Sequence, residues 1–239
     1  TSARSLFMTL LKVEHISTGY GKKQVLFDIS FEMQKGETIL LTGSNGSGKS
    51  TLLKTIYGLL KPWDRKGRIW FNNEDIITYK PFQLIVKGMV YIPQQNELFE
   101  DLIVIENLEL SGMHSINKGE LKDKIDAVID QIPALKTLLK LKCNRLSGGE
   151  RKLLSLAMAL MNQPKLIMFD EPLAGISPGY IDKIIAHIKK LKNTGIALII
   201  VEHKVKSIFE LADRVIGIKL GRLFDENILT ITDTKKVMI

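Results

Sequence analysis

The sequence predicts an α/β fold built around a parallel sheet, and two kinds of pattern support this prediction. Short, continuous apolar runs lie at residues 37–43 (ETILLTG), 165–170 (KLIMFD) and 195–203 (GIALIIVEH), as expected of strands buried on both faces. The stretch between the last two runs repeats apolar residues at helical spacing, namely Ile181, Ile184, Ile185, Ile188 and Leu191. A strand, a helix and a strand in this order form the parallel α/β unit.

The chain on either side of these runs predicts other structures. Residues 25–34 alternate apolar with polar side chains, which is typical of a half-buried strand, so the N-terminal part is predicted to be β-rich. Between Pro81 and about Asn144 no strong buried-strand run is evident, and apolar residues recur at helical spacing. These residues are Leu121, Ile125, Val128 and Ile129. We therefore predict a mainly helical insertion between two α/β portions.

Composition limits the classes of protein to which the chain could belong. Its 239 residues are 45% hydrophobic and 25% charged, which is ordinary for a globular protein. The single cysteine, Cys143, excludes an internal disulfide framework, and no secretory leader is evident, so we expect a reducing, cytoplasmic setting. The longest apolar runs are far shorter than the roughly 20 residues that span a bilayer.

The net charge of +8 suggests an acidic partner, although the 34 basic residues are scattered along the chain. Nucleotide, anionic lipid and nucleic acid are candidates, and ordinary solvated lysines explain the charge equally well. Aromatic residues make up only 7% of the chain and do not alternate with basic ones as in a single-strand-binding groove. We therefore expect no nucleic-acid partner.

The stretch GSNGSGKST matches the pattern G-x-x-x-x-G-K-[ST] and lies directly between a predicted strand and a predicted helix. In such a loop, backbone N–H groups surround a β-phosphate, Lys49 binds the β- and γ-phosphates, and the Ser50 hydroxyl binds Mg²⁺. A surface turn rich in serine and glycine is the alternative, and the strand–helix context disfavours it. The predicted nucleotide-binding residues are Gly43, Ser44, Asn45, Gly46, Ser47, Gly48, Lys49, Ser50 and Thr51.

Two adjacent carboxylates, Asp170 and Glu171, follow the second apolar run at the end of its strand, where ligands of parallel sheets bind. Asp170 is suited to a water-mediated contact with Mg²⁺. Glu171 is suited to act as a general base or to orient water at the γ-phosphate. A polar turn before Pro172 is the alternative, and the presence of Lys49 makes it the weaker explanation.

A second glycine-bearing segment begins a strong helical pattern, although glycine costs about 1 kcal/mol relative to alanine inside a helix. The segment consists of Leu146, Ser147, Gly148, Gly149 and Glu150. A serine N-cap with a flexible approach is one explanation. The other is a helix N-terminus that presents its N–H groups and positive dipole end to a phosphate. Because residues 43–51 already serve the chain's own nucleotide, that phosphate would belong to a second molecule.

These motifs in this order, GSNGSGKST, LSGGE and LIMFDEP, closely resemble the ATP-binding-cassette (ABC) family over nearly the whole chain. The resemblance implies a P-loop NTPase of ABC type, which has a RecA-like core, an antiparallel β subdomain and an inserted α-helical subdomain. It divides the chain into residues 8–80, 81–145 and 146–239, where the middle range is the helical subdomain. It also implies Mg²⁺-dependent ATP hydrolysis by head-to-tail dimers, in which each ATP lies between one subunit's Walker A loop and the other's signature.

The resemblance also assigns roles to single residues. Tyr20 lies where family members place an aromatic ring against adenine, and a tyrosine in a glycine-flanked turn is the weaker alternative. Gln94 corresponds to the Q-loop glutamine, which contacts Mg²⁺ or water, and the adjacent Gln95 leaves the choice slightly open. His203 corresponds to the switch histidine, which contacts the γ-phosphate and holds Glu171 and the water. The implied catalytic residues are Glu171, His203 and Gln94, and the implied metal-binding residues are Ser50, Gln94 and Asp170.

The D-loop departs from the family pattern. It comprises Ala174, Gly175, Ile176 and Ser177, and the family usually has aspartate where Ser177 stands. Serine can form a hydrogen bond across the dimer interface but brings no charge, so we expect altered communication between the two ATP sites. With Glu171 and His203 present, hydrolysis is still expected. The usual G-x-P-x-E-[IL] tail element is not evident beyond Gly221.

The function implied by the resemblance is that of a cytoplasmic ATPase subunit of a membrane transporter, peripheral at the cytoplasmic face of the membrane. Its expected partners are a second ABC ATPase subunit, identical or similar, and transmembrane permease subunits that dock at the helical insertion and the Q-loop. Within the family, the sequence is most similar to ATPases of branched-chain amino-acid importers. The lipopolysaccharide-export ATPase is also similar. The alternatives are a soluble ABC ATPase that acts on DNA or ribosomes, disfavoured by the single uninterrupted cassette, and a scaffold without turnover, suggested by Ser177 alone.

Overall fold

The computed structural model describes residues 8–63, 66–95, 98–113, 119–202 and 206–225. The strands of this part of the chain are β1 (Thr9–Tyr20), β2 (Lys23–Gln34), β3 (Thr38–Thr42), β4 (Arg68–Phe71), β5 (Glu74–Asp75), β6 (Met89–Ile92), β7 (Leu166–Asp170), β8 (Ala197–Val201), β9 (Arg214–Lys219) and β10 (Arg222–Asp225). The α-helices are α1 (Lys49–Ile56), α2 (Pro81–Val86), α3 (Val104–Gly112), α4 (Leu121–Gln131), α5 (Gly148–Met161), α6 (Pro178–Asn193) and α7 (Lys206–Phe209). Short 3₁₀ helices lie at Pro133–Leu135 and Cys143–Arg145.

The central sheet has six strands in the order β10-β9-β3-β8-β7-β6. All neighbouring pairs are parallel except β10 with β9. Every residue of β3, β7 and β8 is buried, because both faces of the sheet are covered. Leu40 packs into one apolar core with α3 to α6, whereas Ile39 and Leu41 pack into the other with α1 and the N-terminal strands. The predicted parallel α/β core is confirmed.

The N-terminal strands form a separate antiparallel sheet in the order β2-β1-β4-β5, as predicted for this part of the chain. The alternation predicted for residues 25–34 holds at Ile29 and Met33, which are buried. It fails before Asp28, where the register between β1 and β2 shifts and φ is 54°. This irregularity turns Leu26 into the core and leaves Phe27 only half-buried.

One strand of the central sheet lies in the stretch for which the sequence pattern predicts helices. β6 pairs with β7 at the edge of the sheet, so the polypeptide leaves the sheet for the helical region only after Ile92. Its four residues include the half-buried Tyr91, and a run this short gives no strong strand signal. Beyond β6, helices dominate as predicted, and Leu108, Val128 and Leu153 join α3, α4 and α5 in one core. The division at residues 81 and 145 stays a prediction.

The helix α6 has the predicted apolar face. Ile184, Ile188 and Leu191 are buried, and Ile181 and Ile185 are half-buried at the margins of the same face. Within the described part of the chain, no helix combines the length and the apolar character needed to cross a membrane. The burial of the central strands shows that both faces of the sheet are covered, which leaves the loops at the carboxyl ends of its strands to form a site.

Candidate nucleotide-binding site

The predicted phosphate loop connects the end of β3 to the start of α1, and close packing dictates two of its three glycines. Gly43 has a φ of 146°, and a Cβ atom at this position would lie 2.2 Å from the backbone oxygen of Ile218. Gly48 has a φ of 114°, and its Cβ would lie 2.6 Å from a methyl carbon of Leu26. Neither position accepts a side chain, so the backbone here can approach a ligand closely.

The cation predicted to bind phosphate is held inside this loop. The Lys49 ammonium donates hydrogen bonds to the backbone oxygens of Gly43 and Ser44, both at 3.0 Å. Only 5% of the residue is exposed, and this burial lowers the pKa of Lys49 below its ordinary value of 10.5, although Glu171 and Asp170 act in the opposite direction. The charge is therefore positioned at the loop by backbone carbonyl groups.

Asp170 ends β7 and is almost fully buried, with 4% of its surface exposed. The Ser50 hydroxyl donates to Asp170 Oδ1 at 2.8 Å, and the Tyr91 hydroxyl donates to Asp170 Oδ2 at 2.9 Å. Burial, together with the charge and hydrogen bond of Asp170, raises the pKa of Tyr91. The sequence prediction missed Tyr91. Its signal would have been a hydroxyl-bearing residue in β6, the strand beside β7.

Glu171 lies directly after β7 in an unusual backbone conformation. Its φ is 53°, which is uncommon for a residue with a side chain, and its N–H donates to the Val201 oxygen at 3.0 Å. Backbone strain of this kind clusters at functional sites. The Gln94 amide donates to Glu171 Oε2 at 2.8 Å, so the structure brings Gln94 to the acidic pair. Gln95 lines a neighbouring cavity.

The phosphate loop, Gln94 and Glu171 line an open cavity of about 480 Å³, a volume within the usual range for small-molecule sites. Tyr20, 47% exposed, stands on its wall at the end of β1. The lining residues that the sequence predicted are Tyr20, Asn45, Gly46, Gly48, Lys49, Ser50, Thr51, Gln94 and Glu171. His203, predicted to contact the γ-phosphate, lies outside the described residues.

The second glycine-bearing segment begins α5 with a serine N-cap, as one of the two explanations predicts. Ser147 Oγ accepts from the Glu150 N–H at 3.4 Å, and the Glu150 carboxylate accepts from the Ser147 N–H and hydroxyl, both at 2.8 Å. A Cβ at Gly149 would lie 2.2 Å from the ring of Tyr180 on α6, whereas one at Gly148 would make only ordinary contact with Gly175. Glycine at position 149 is thus explained by packing within the chain.

The signature segment does not line the cavity at the phosphate loop. None of residues 146–150, all of which are described, lines the 480 Å³ cavity. Gly148 instead lines a second cavity of about 260 Å³, together with Gln94, Gln95 and the D-loop residues Ala174 and Ile176. Ser177, the last residue of the D-loop, is the N-cap residue of α6.

One basic residue near the Q-loop also escaped the sequence prediction. Lys152 on α5 is 9% exposed, and its ammonium donates to the backbone oxygen of Gln94 at 3.2 Å. The helix that begins with the signature is thereby bonded to the segment that contacts Glu171. The only available signal was a lysine on an otherwise apolar helix face, which more often reflects a side chain that reaches solvent.

The fold and this cavity define a P-loop nucleotide-binding protein, and comparison with known proteins narrows the class. The family model for ABC transporters matches residues 26–174. The chain is 35% identical over 215 residues to the probable branched-chain amino acid transport ATP-binding protein LivF of Archaeoglobus fulgidus, with 90% of both proteins covered. It is 29% identical over 221 residues to the lipopolysaccharide export system ATP-binding protein LptB of Haemophilus influenzae, covering 90% of this chain and 89% of LptB.

Solved structures agree with the sequence comparison. A crystal structure of an ATP-binding cassette of an ABC transporter superposes with a TM-score of 0.84 at 31% identity, covering 97% of this chain and 99% of that one. The chain therefore belongs to the ABC transporter family, as one of its ATP-binding ATPase subunits. The fold predicted from the three motifs is confirmed.

Proposed function

We propose that the chain powers a membrane transporter as one half of a head-to-tail dimer that encloses two ATP molecules. One observation carries this proposal: the phosphate loop, Glu171 and Gln94 meet at one cavity, whereas the start of α5 lies outside it. In a head-to-tail pair, the start of α5 in one subunit faces the cavity of the other. Two helix N-termini then serve each ATP.

The residues around the cavity have the chemistry that phosphoryl transfer to water requires. Lys49 supplies a fixed positive charge at the loop, where it would bind the β- and γ-phosphates. Glu171 would accept a hydrogen bond from the attacking water, while the Gln94 amide on its other oxygen holds the carboxylate in place. Tyr20 offers an exposed ring at the cavity wall for the adenine.

Ser50 and Asp170 fit a magnesium ion, which prefers oxygen ligands. The Ser50 hydroxyl directs its proton to Asp170, so its lone pairs remain for a cation. Among the described residues, no group of three or more His, Cys, Asp or Glu side chains could hold a metal ion, and Mg²⁺ in such sites takes ligands from phosphate and water. When bound, the ion would neutralise charge on the β- and γ-phosphates. Gln94 is its third proposed contact.

The proposed partners are a second ABC ATPase subunit and transmembrane permease subunits, which would hold the chain at the cytoplasmic face of the membrane. Exposed apolar side chains flank the Q-loop in sequence and support docking there: Phe82 and Val86 on α2 are 63% and 58% exposed, and Phe99 is 56% exposed. Large exposed apolar side chains of this kind are common at protein interfaces. The membrane contact would be indirect, through the permease.

The proposed cargo is a branched-chain amino acid, because LivF is 35% identical to this chain and LptB is 29% identical. Export of a lipid or lipopolysaccharide is the second candidate, and the similarity to LptB is the observation that favours it. The path of the cargo would lie in the permease. Co-purification of the tagged chain from its native membranes would decide between them through the identity of the polytopic proteins recovered. Recovery of ribosomal proteins or nucleic acid alone would contradict the transporter assignment.

The ATPase site itself is tested with Glu171→Gln, measured for ATP hydrolysis and ATP binding. We expect a rate loss of about 10²- to 10⁴-fold, the range for a general base, with binding retained. Gln94→Ala and Gln95→Ala form a matched pair, because Gln94 is the one of these two glutamines that donates to Glu171. Gln94→Ala should slow hydrolysis, and Gln95→Ala should leave it near the wild-type rate. A wild-type chain that hydrolyses ATP no faster than Glu171→Gln would refute the assignment of Glu171.

A further inference from the structure

We propose that Tyr91 is a positioning residue for the carboxylate that serves the metal ion, a role that rests on the proposed function. Asp170 has two side-chain oxygens, and each accepts from one hydroxyl: Oδ1 from Ser50 at 2.8 Å and Oδ2 from Tyr91 at 2.9 Å. Because Asp170 is only 4% exposed, water has little access to compete for either oxygen. The two bonds together fix the rotation of the carboxylate group.

The hydroxyl of Tyr91 is itself held in place from two sides. Its backbone belongs to β6, in register with Met168 of β7. Its ring lies 5.6 Å from the ring of Tyr57, tilted by 45°, and Tyr57 is the C-cap residue directly after α1. The first turn of the same helix carries Ser50. One helix therefore supplies the first hydroxyl donor and supports the ring of the second.

This arrangement matters because magnesium tolerates little deviation in its ligand geometry. With Oδ2 occupied by Tyr91, Asp170 presents Oδ1 beside Ser50 to a cation or to the cation's water ligand. Without the phenol hydroxyl, the carboxylate is free to turn, and Oδ2 can compete for the Ser50 proton. Hydrogen-bond partners in the outer shell of a metal site tune affinity in this way.

Tyr91 also differs from Gln94, although both lie on one short segment and each donates to one of the two adjacent carboxylates. Gln94 is exposed and donates to Glu171 at 2.8 Å, whereas Tyr91 is half-buried and donates to Asp170 at 2.9 Å. The segment thus has a contact near the proposed water and another near the proposed metal ion. Of the two residues, only Tyr91 belongs to a strand of the sheet.

The test compares Tyr91→Phe with Tyr57→Phe, which removes the hydroxyl of the neighbouring ring and leaves Asp170 untouched. ADP affinity of the full chain is measured by calorimetry over a range of Mg²⁺ concentrations and in excess EDTA. For Tyr91→Phe we expect the half-saturating Mg²⁺ concentration to rise about tenfold, the lower end of the range for outer-shell partners. Its affinity in EDTA should match the wild type, and Tyr57→Phe should match it in both conditions.

Two results would overturn the positioning role alone. One is an unchanged Mg²⁺ requirement in Tyr91→Phe. The other is an equal loss of ADP affinity with Mg²⁺ and with EDTA, accompanied by a lower melting temperature, which would show a merely structural role. A wild-type chain that binds no ADP in either condition would instead refute the proposed function, and this role with it.

Discussion

The chain begins two helices at glycine-bearing segments, residues 43–51 and 146–150, and the two use glycine for different reasons. In the first, Gly43 and Gly48 have positive φ values and touch Ile218 and Leu26, so neither the backbone conformation nor the available space admits a side chain. In the second, Gly149 has no positive φ and makes room for the ring of Tyr180.

The two helix N-termini also differ in their hydrogen bonds. At the start of α1, Gly48 provides no side-chain cap, so the first N–H groups are left to a ligand. At the start of α5, Ser147 and Glu150 cap the helix within the chain. The first segment is thus completed as a proposed phosphate site by the chain's own fold. The second is stable alone and acquires its proposed phosphate only through assembly with a second subunit.

The largest expected effect separates the two segments by ligand binding. Lys49→Met removes a charge-assisted contact to phosphate, and we expect the affinity for ADP to fall about 100-fold. Ser147→Ala should leave ADP affinity unchanged in a dilute solution of the chain, because Ser147 lies outside the cavity. Calorimetry with ADP checks both variants. If Ser147→Ala weakened ADP binding as much as Lys49→Met, the two segments would share one site within the chain, contrary to the structure.

A smaller effect is expected on stability when alanine replaces each glycine of the signature. Gly149→Ala forces the new methyl group against Tyr180, and overpacking of this kind costs about 1–3 kcal/mol in the free energy of unfolding. Gly148→Ala is the matched control, since its Cβ has only ordinary contact and alanine is the better helix former. Urea denaturation measures both. Equal stabilities of the two variants would contradict the packing explanation, and Tyr180→Ala should relieve the loss in Gly149→Ala.

The serine cap is expected to contribute less. Ser147→Ala removes the side-chain bonds to the Glu150 N–H and carboxylate, so the free energy of unfolding should fall by about 1 kcal/mol. The control is Ser44→Ala, because Ser44 accepts from Lys49 and Ser47 through its backbone oxygen. Thermal denaturation without nucleotide provides the measurement. If Ser147→Ala unfolded at the same temperature as the wild type, the capping box would contribute little to the stability of α5.

The smallest expected effect near neutral pH is a change in ADP affinity that follows the charge of Lys49. Burial lowers its pKa in the free chain, and a bound phosphate would favour the protonated form, so ADP affinity in EDTA is greatest below that pKa. As the pH rises, the affinity should begin to fall at a pH below 10.5, the ordinary pKa of lysine. The slope should approach about a tenfold loss of affinity per pH unit. Lys49→Arg is the control, because arginine keeps its proton there. The same decline in Lys49→Arg would assign the effect to another group.

Much of the site was predictable because its residues belong to contiguous motifs next to strong strand patterns. The strand before Gly43 and the strand that ends at Asp170 are continuous apolar runs, so their carboxyl ends, and thus Lys49 and Asp170, were expected at one edge of the sheet. Tyr91, Tyr180 and Lys152 were missed, since each acts across elements that are distant in sequence. β6 was missed because its four residues give no distinctive periodicity.

The sequence by itself determined the nucleotide-binding class and the parallel core, because each depends on residues close together in the chain. The tertiary structure decided what no local pattern contains: the choice of Gln94 at Glu171, the need for glycine opposite Tyr180, and the two hydroxyls that hold Asp170. These depend on the register of β6 against β7 and on the packing of α6 against α5. Side-chain packing depends on which atoms meet from distant parts of the chain, whereas the periodicity of a sequence indicates only which face of an element is buried.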